Sequence, residues 1–410
     1  MIKSRKTAYT IWILASIFYA YQYILRVMPS VMIDEIMEKF HFDASSYGQF
    51  SGLYYIGYSA AHLPLGIMLD RIGPKKVMPI CLLLTVLGQL PIVFSDYWAM
   101  PIAGRVLTGI GSSAAILGTF KIIRLAFDEK IFTRMLGWSV TIGLLGAIYG
   151  GGPVTFMTEE FGYQSVINIF AVLGLVLAAA TYFIVPEIKA KRDTRVIDDI
   201  KSVLMNGRVI AICMLGGLMV GPLEGFADVW GAIYLRNVYD MGETISASLP
   251  SLIFIGMSIG APMIGYIADK TGKYIGTTIA AGVIMALGYI LFLSSKLNVQ
   301  AISVTFVTIG ICCAYQIIVI YKASTYVKEH VVSLTNAAAN MIIMSFGYLV
   351  HTVIGVVIDY FGGRENVSAL NYGVSSIPVM MTMAIIGLSV LSIYDKRRAR
   401  REMEITQVPN

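Results

Sequence analysis

Three ionisable side chains interrupt long apolar stretches of the sequence. Arg26 lies well inside the first apolar run, and Glu224 and Asp228 lie in a later one. Ionisable groups at membrane depth are costly and are usually functional. Residues four apart share one helix face, about 6 Å from each other, so the two carboxylates cannot both ionise easily. The pattern predicts a proton-binding carboxylate pair, with Glu224 as its main protonatable group, and a cation that faces it.

Two structural alternatives stay open for these charges. Arg26 could extend its side chain to the outer interface, and Asp228 could reach the outer headgroup zone and leave only Glu224 internal. Pro222 and Gly225 flank Glu224 and are expected to bend this helix and to free backbone polar groups, as in discontinuous binding helices. We therefore expect the helix around Glu224 to be irregular.

An internal duplication links the charged positions. The stretch from Gly66 to Lys76 ends an apolar run with Asp70 and a basic cluster, and a related stretch from Gly265 to Lys273 carries Asp269 about half of the 410-residue chain later. The same offset brings Arg26 next to Glu224. Two such loops at this spacing indicate a duplicated membrane protein.

The composition requires membrane-spanning helices to position these residues. Hydrophobic residues make up 57% of the chain and charged residues 14%, whereas soluble proteins carry about 25% charged residues. A span needs roughly 20 apolar residues, and we count twelve apolar runs. The net charge of +6 resides in short loops between these runs, so we interpret it as a topology signal and expect no nucleic-acid partner. The sequence predicts an all-α protein with twelve transmembrane helices in a lipid bilayer.

Loop charge predicts the orientation of the helices. Lys and Arg concentrate in loops on one side, for example Arg71, Lys75 and Lys76, and acidic residues concentrate on the other, for example Asp34 and Glu35. Because basic loops stay cytoplasmic, both termini and the middle loop are expected in the cytoplasm. Met1 to Lys6 is interpreted as the start of an uncleaved first helix.

The longest loop divides the sequence into two halves. We expect six-helix bundles at residues 1–187 and 207–396, a cytoplasmic linker at 188–206, and a basic cytoplasmic tail at 397–410. The linker is expected to contain an amphipathic surface helix near residues 197–205. Glycines cluster inside the predicted helices, which lets backbones pack closely. The four cysteines all fall in apolar runs without metal-ligand spacing, so we expect no metal and no cofactor.

The repeated loop identifies a family resemblance. The pattern Gly-x-x-x-Asp-[Arg/Lys]-x-Gly-x-[Arg/Lys]-[Arg/Lys], seen from Gly66 to Lys76 and degraded in its second copy, resembles the major facilitator superfamily along the whole chain. That resemblance implies two pseudo-symmetric six-helix bundles and alternating access. It also implies that helices 1, 4, 7 and 10 surround the substrate path. The substrate-binding residues are then Tyr19, Gln22, Tyr23, Arg26, Glu224, Tyr315 and Gln316.

The resemblance also implies coupling and gating residues. Arg105 lies in an Arg-x-x-x-Gly pattern similar to one that the superfamily associates with proton coupling, although a structural contact with a backbone carbonyl is an equal alternative. His62 titrates in a useful range but could be a packing residue. The expected proton-coupling set is Glu224, Asp228, Arg105 and His62. The expected cytoplasmic gate is Asp70, Arg71, Asp269 and Lys270, in which Asp70 accepts from a helix N-terminus of the other half and from Arg124 or Arg134.

The favoured function is proton-driven import of a small polar organic solute that is zwitterionic or carries a carboxylate. We expect the protein to be a monomer in a bacterial inner membrane. The residues from Tyr21 to Met32 and from Tyr54 to Tyr58 also resemble phagosomal-transporter-type importers of amino acids or nucleosides in intracellular bacteria. A drug or siderophore exporter is an alternative, although Gly150-Gly151-Gly152-Pro153 lacks the complete exporter signature. A non-transporting receptor is a second alternative. No Gly-x-Ser-x-Gly or Walker sequence points to an enzyme.

Overall fold

The computed structural model describes residues 5–187, 196–294, 296–328 and 331–406, and within these ranges the secondary structure is helical without strands. The all-α prediction is therefore confirmed for the described chain. The first part of the expected linker, 188–195, and the end of the expected tail, 407–410, lie outside the described residues.

Eight α-helices and one 3-10 helix occupy the N-terminal half, which we define as residues 5–187. They are α1 (Arg5–Val27), the 3-10 helix (Met28–Met32), α2 (Ile33–Phe40), α3 (Ala44–Arg71), α4 (Pro74–Phe94), α5 (Ala99–Ala126), α6 (Glu129–Gly150), α7 (Gly152–Phe161) and α8 (Tyr163–Ile184).

The described residues after the first half form ten α-helices and one π-helix. They are α9 (Val196–Leu204), α10 (Gly207–Gly217), the π-helix (Gly221–Trp230), α11 (Gly231–Tyr239), α12 (Glu243–Ser248), α13 (Ser251–Thr271), α14 (Tyr274–Ser294), α15 (Val299–Cys313), α16 (Tyr315–Ser324), α17 (Val332–Tyr360) and α18 (Val367–Thr406). We call residues 207–396 the C-terminal half. Helix α9 lies where the sequence predicts an amphipathic helix.

Ten helices in the described residues are long and apolar enough to cross a membrane, or eleven when the bent pair Arg134–Gly150 and Gly152–Phe161 counts as one span. Helix α3 has the length of a span, 28 residues, but Gln49, His62 and its tyrosines make it less apolar. It packs along α17 and α5, so many of its polar side chains face protein. The multi-span architecture is confirmed, and the count of twelve stays a prediction.

Both halves contain an irregular helical segment next to a charged residue of the predicted site. Proline lies in the first turn of the 3-10 helix Met28–Met32 and of the π-helix Gly221–Trp230. Because Pro29 and Pro222 have no N–H, each removes one bond of a regular helical ladder. The two segments contact each other. The expected irregularity around Glu224 is therefore present as a π-helix, a type of distortion that often occurs at functional sites.

Glycines let α3 and α5 pack backbone against backbone. A Cβ on Gly57 would lie 2.1 Å from the carbonyl oxygen of Val106, and a Cβ on Gly109 would lie 2.0 Å from that of Tyr54. Real Cβ atoms do not approach this closely, so only glycine fits either position. This contact places Tyr54 and its neighbour Tyr55 beside the helix that carries Arg105.

Candidate functional site

The centre of the site is an ion pair between the two halves. Arg26 Nε lies 2.9 Å from Asp228 Oδ2, and Arg26 Nη2 donates to Asp228 Oδ1 at 3.1 Å. The side chains are only 6% and 1% exposed. Both side chains are buried within the protein and paired with each other. Arg26 pairs with Asp228 rather than with Glu224, the position that the duplication favoured.

Tyr55 and Gln316 hold the two carboxylates in place. The Tyr55 hydroxyl donates to Asp228 Oδ2 and lies 3.3 Å from the backbone carbonyl oxygen of Glu224. The Gln316 amide nitrogen lies 3.3 Å from each carboxylate oxygen of Glu224. Both carboxylates are buried, but Asp228 has a cation as partner, whereas Glu224 has a neutral amide. The π-helix therefore presents two carboxylates in different environments.

Arg105 supports the backbone at Arg26. Its Nη1 donates to the carbonyl oxygen of Leu25 at 2.9 Å, and its Nη2 donates to that of Arg26 at 3.3 Å. The guanidinium also lies over the rings of Phe50 and Tyr54, at 5.5 and 5.1 Å. The alternative in which Arg105 contacts backbone carbonyls is the geometry observed. Arg105 thus positions Arg26 through the main chain.

Aromatic and amide side chains surround the pair. The Arg26 guanidinium lies 4.5 Å from the centroid of the Tyr23 ring, and Tyr19 packs on Tyr23 at 5.3 Å. The Tyr54 hydroxyl donates to Gln22 Oε1 at 2.7 Å. Tyr315 instead donates to the backbone carbonyl of Gly216 at 2.7 Å, where it joins two helices of the C-terminal half.

The two membrane histidines lie on the contact between α3 and α17. His62 Nε2 is 3.4 Å from the amide nitrogen of Asn340, and its ring packs on Tyr58 at 5.2 Å. His351 stacks on Tyr55 at 5.7 Å. His351 therefore lies beside Tyr55, which contacts Asp228. The observed partners of His62 are Asn340 and Tyr58.

The predicted gate residues make contacts within their own halves. We call the membrane side that carries the Asp70 and Asp269 loops the motif side, and the opposite side the far side. Asp70 Oδ1 lies 2.6 Å from Lys121 Nζ, and the Asp70 side chain is 67% exposed. Asp269 accepts from Tyr274 at 3.1 Å, and Lys270 lies over the Tyr266 ring.

These contacts differ from the expected gate. The partner of Asp70 is Lys121 rather than Arg124, Arg134 or a helix N-terminus of the other half. Arg71 is exposed. A Cβ on Gly66 or Gly265 would have no neighbouring atom within 4 Å, so no described residue packs closely on either glycine. Among the described residues, Asp70 makes no contact with the other half in this conformation, and its role in a conformation closed on the motif side stays a prediction.

Polar contacts join the two halves on the far side. Asp34 on α2 pairs with Arg236, at 2.7 Å, and with Arg364, both from the C-terminal half. At the end of α17, Asp359 Oδ1 accepts from the backbone N–H of Ala44 at 3.1 Å, and Oδ2 accepts from that of Ser45. A carboxylate at a helix N-terminus is stabilised by the free N–H groups and by the helix dipole. This conformation is closed on the far side.

Several of these residues escaped the sequence reasoning. Tyr55 was visible only as one of four tyrosines in the second apolar run. Asp359 ends the eleventh run and Arg364 follows it, so both resemble ordinary charges at a helix end or in a loop. The available signal for the contacts between the halves was the presence of acidic and basic residues at corresponding helix ends. A sequence does not indicate which of these residues form ion pairs with each other.

Comparison with known proteins identifies the architecture. The family model for the Major Facilitator Superfamily matches residues 11–352. The solved structure of the nucleoside transporter NupG superposes with a TM-score of 0.74 over 93% of this chain and 98% of that one, at 15% sequence identity. At this identity the likeness establishes the fold alone.

Curated relatives match only part of their own length. The methyl viologen resistance protein SmvA of Salmonella typhimurium is 30% identical over 179 residues, which are 43% of this chain and 35% of that protein. The probable L-galactonate transporter of Escherichia coli is 22% identical over 265 residues, which are 60% of this chain and 58% of that protein. The chain thus spans about a third to three fifths of the length of these two relatives.

Proposed function

The chain belongs to the Major Facilitator Superfamily, and we propose that it is a secondary active transporter that imports a small polar organic solute together with protons. The family and its transporter relatives indicate a transporter rather than an enzyme. Glu224 is the proton-binding group in this proposal. Arg26, Asp228 and the surrounding Gln22, Tyr23 and Gln316 bind the solute.

One observation carries the proposal. The π-helix places Glu224, whose carboxylate partner is the neutral Gln316 amide, one turn from Asp228, which pairs with Arg26. A buried carboxylate without a cation is costly in its ionised form, so protonation or an arriving cation stabilises it. Coupling of protons to a solute requires a carboxylate that alternates between a protonated form and an ionised form paired with a cation. Glu224 meets this requirement next to an ion pair that joins the two halves.

The charges of the site favour a zwitterionic or carboxylate-bearing solute, such as an amino acid. The probable L-galactonate transporter is named for a carboxylate, which agrees with this class. The export alternative has support of its own, because SmvA is named for resistance to methyl viologen, a dication. Arg26 at the carboxylates opposes such a cation electrostatically, so import is the favoured direction.

The remaining assignments complete the proposal. We assign six-helix bundles to residues 1–187 and 207–396, a cytoplasmic linker to 188–206 and a cytoplasmic tail to 397–410. The transporter is a monomer in a bacterial inner membrane with both termini in the cytoplasm. Tyr19 and Tyr315 shape the substrate path, and Arg105 and His62 assist coupling. Asp70, Arg71, Asp269 and Lys270 form the cytoplasmic gate in the alternate conformation.

Proton movement tests the proposal directly. The purified protein is reconstituted into liposomes that contain a fluorescent pH indicator, and single solutes are added outside: the standard L-amino acids, gluconate, nucleosides and methyl viologen. Import with protons acidifies the lumen when the correct solute is added, whereas exchange of methyl viologen for protons makes the lumen alkaline. Protein-free liposomes provide the control.

The sign of the pH change separates the alternatives. Acidification by an amino acid or by gluconate supports the proposal. An alkaline response confined to methyl viologen overturns it in favour of export. No response to any solute, together with no solute exchange, favours the receptor alternative.

A further inference from the structure

The two charges at the centre of the candidate site neutralise each other in an ion pair. Arg26 comes from the N-terminal half and Asp228 from the C-terminal half, and they contact at two points with both side chains buried. A solute that binds between the halves at this depth must contact or separate this pair. The question is therefore which solute can compensate the separation.

The cost of opening a buried ion pair depends on what replaces each partner. Removing one partner leaves an uncompensated buried charge, which is strongly unfavourable. A solute with only a carboxylate would satisfy Arg26 and leave Asp228 unpaired. A solute with only an amine would satisfy Asp228 and leave Arg26 unpaired. Only a solute with both charges restores two ion pairs for the one that it breaks.

Arg26 and Asp228 each have contacts that remain when the ion pair between them is broken. Arg26 lies on the Tyr23 ring, and Arg105 holds its backbone carbonyl. Asp228 keeps the hydrogen bond from Tyr55. Each charge is therefore held in position without the other, which leaves two prepared half-sites on opposite sides of the interface between the halves.

We infer that the substrate is a zwitterion that exchanges its two charges for the Arg26–Asp228 pair, with its carboxylate on Arg26 and its ammonium group on Asp228. The inference rests on the proposed function, because it takes the transport path to run past this pair. Asp228 and Glu224 both offer hydrogen-bond acceptors to the ammonium group, so a primary amine fits better than a quaternary one. The chemical class is a free α-amino acid.

Ligand binding tests the exchange without any need for transport. The melting temperature of the purified full-length protein is measured with each standard L-amino acid, since a bound ligand stabilises the folded state. For each amino acid that raises it, the matched deaminated acid and decarboxylated amine are titrated, for example phenylpropanoate and phenylethylamine for phenylalanine. We expect each single-charge analogue to bind at least about 100-fold more weakly than the amino acid.

Two variants make the prediction sharper. Asp228→Asn keeps the shape of the side chain and its contact with Tyr55 but leaves Arg26 without a counter-charge, so the preference should shift from the amino acid to the monocarboxylate. Arg26→Gln should shift it toward the amine. Glu160→Gln, at an exposed carboxylate outside both the site and the gate, should keep the preference for the zwitterion. Size-exclusion profiles verify that each variant is folded, and Arg26→Lys should retain the preference with weaker binding if Arg26→Gln does not fold.

Three results would overturn the inference: equal binding of a single-charge analogue to the native protein, an unchanged preference in folded Asp228→Asn, or no melting shift with any amino acid. Failure of the proposed function can be distinguished from failure of this inference. The melting temperature reports solute binding, whereas the liposome assay reports proton movement. Zwitterion-selective binding without lumen acidification refutes proton coupling alone. Acidification driven by gluconate without amino-acid binding refutes the zwitterion alone.

Discussion

Arg26 and Asp228 lie on opposite halves of the chain, 202 residues apart, and meet in a buried two-point ion pair. Asp228 lies on the π-helix, and Arg26 lies in the last turn of α1, two residues before the 3-10 helix. A contact of this kind links the site to the interface across which the two halves meet.

This geometry predicts a non-additive effect on stability. Arg26→Met or Asp228→Leu alone leaves a buried charge unpaired and should cost about 3–5 kcal/mol, whereas the double variant should be close to the native protein in stability. Thermal unfolding of the four proteins in one detergent measures this. Equal and additive losses would mean that the two charges are not energetically coupled.

Arg105 should be a positioning residue that lysine cannot replace. Its two guanidinium nitrogens reach two successive carbonyls, and an ammonium group lacks this fork geometry. Arg105→Lys should cost about 1.5–3 kcal/mol through the lost charged hydrogen bonds, measured as a lower melting temperature. Arg397→Lys, at an exposed position outside the site and the gate, is the matched control and should unfold like the native protein. No change with Arg105→Lys would contradict the assigned support.

Asp34 should hold the far side closed. Asp34→Asn weakens contacts with two arginines of the C-terminal half, each of order 1 kcal/mol at a partly exposed site. The buried Ser30 beside Arg236 serves as the reporter position. In a Ser30→Cys background, the labelling rate by a membrane-impermeant maleimide should rise about 5- to 30-fold.

Two controls accompany the Asp34 experiment. The four native cysteines are buried, so the protein without Ser30→Cys gives the background labelling. Glu160→Gln, at an exposed far-side carboxylate, should leave the rate unchanged. A rate that does not respond to Asp34→Asn would show that these ion pairs do not govern closure.

Asp70 should act in the opposite direction. In the conformation described, its ion pair among the described residues is the exposed one with Lys121, which contributes little. If Asp70 bonds to the other half when the motif side closes, Asp70→Asn destabilises that alternate state. Labelling of Ser30→Cys should then fall about twofold to fivefold, as loss of a helix-terminus interaction implies. Faster labelling would contradict the proposed gate.

The sequence allowed prediction of the helical membrane architecture, the family and the charged centre of the site. Apolar runs and the repeated Asp70 and Asp269 loops are local patterns, so they could be read without a structure. Arg26 and Asp228 stood out because buried charge is rare in membranes. Their pairing was not predicted, because the duplication pointed to Glu224 and the π-helix alters which side chain faces Arg26.

Contacts between distant segments could not be predicted from the sequence, because they depend on how the helices pack. Tyr55 reaches Asp228 only because glycines bring α3 against α5 and because α3 also packs along α17. Asp359 reaches the N-terminus of α3 across the contact between the two halves on the far side. Such contacts depend on packing and on conformational state, and neither of these is encoded in a local pattern.

Glu224→Gln tests the central claim most directly, with Glu160→Gln as the matched control. The solute that acidifies the lumen of liposomes with the native protein is applied to both variants, and exchange of the same labelled solute across the membrane is followed in parallel. Glutamine keeps the shape of the side chain but cannot bind and release a proton, so the account predicts loss of acidification with exchange retained. Acidification that persists in Glu224→Gln at the native rate would contradict the account.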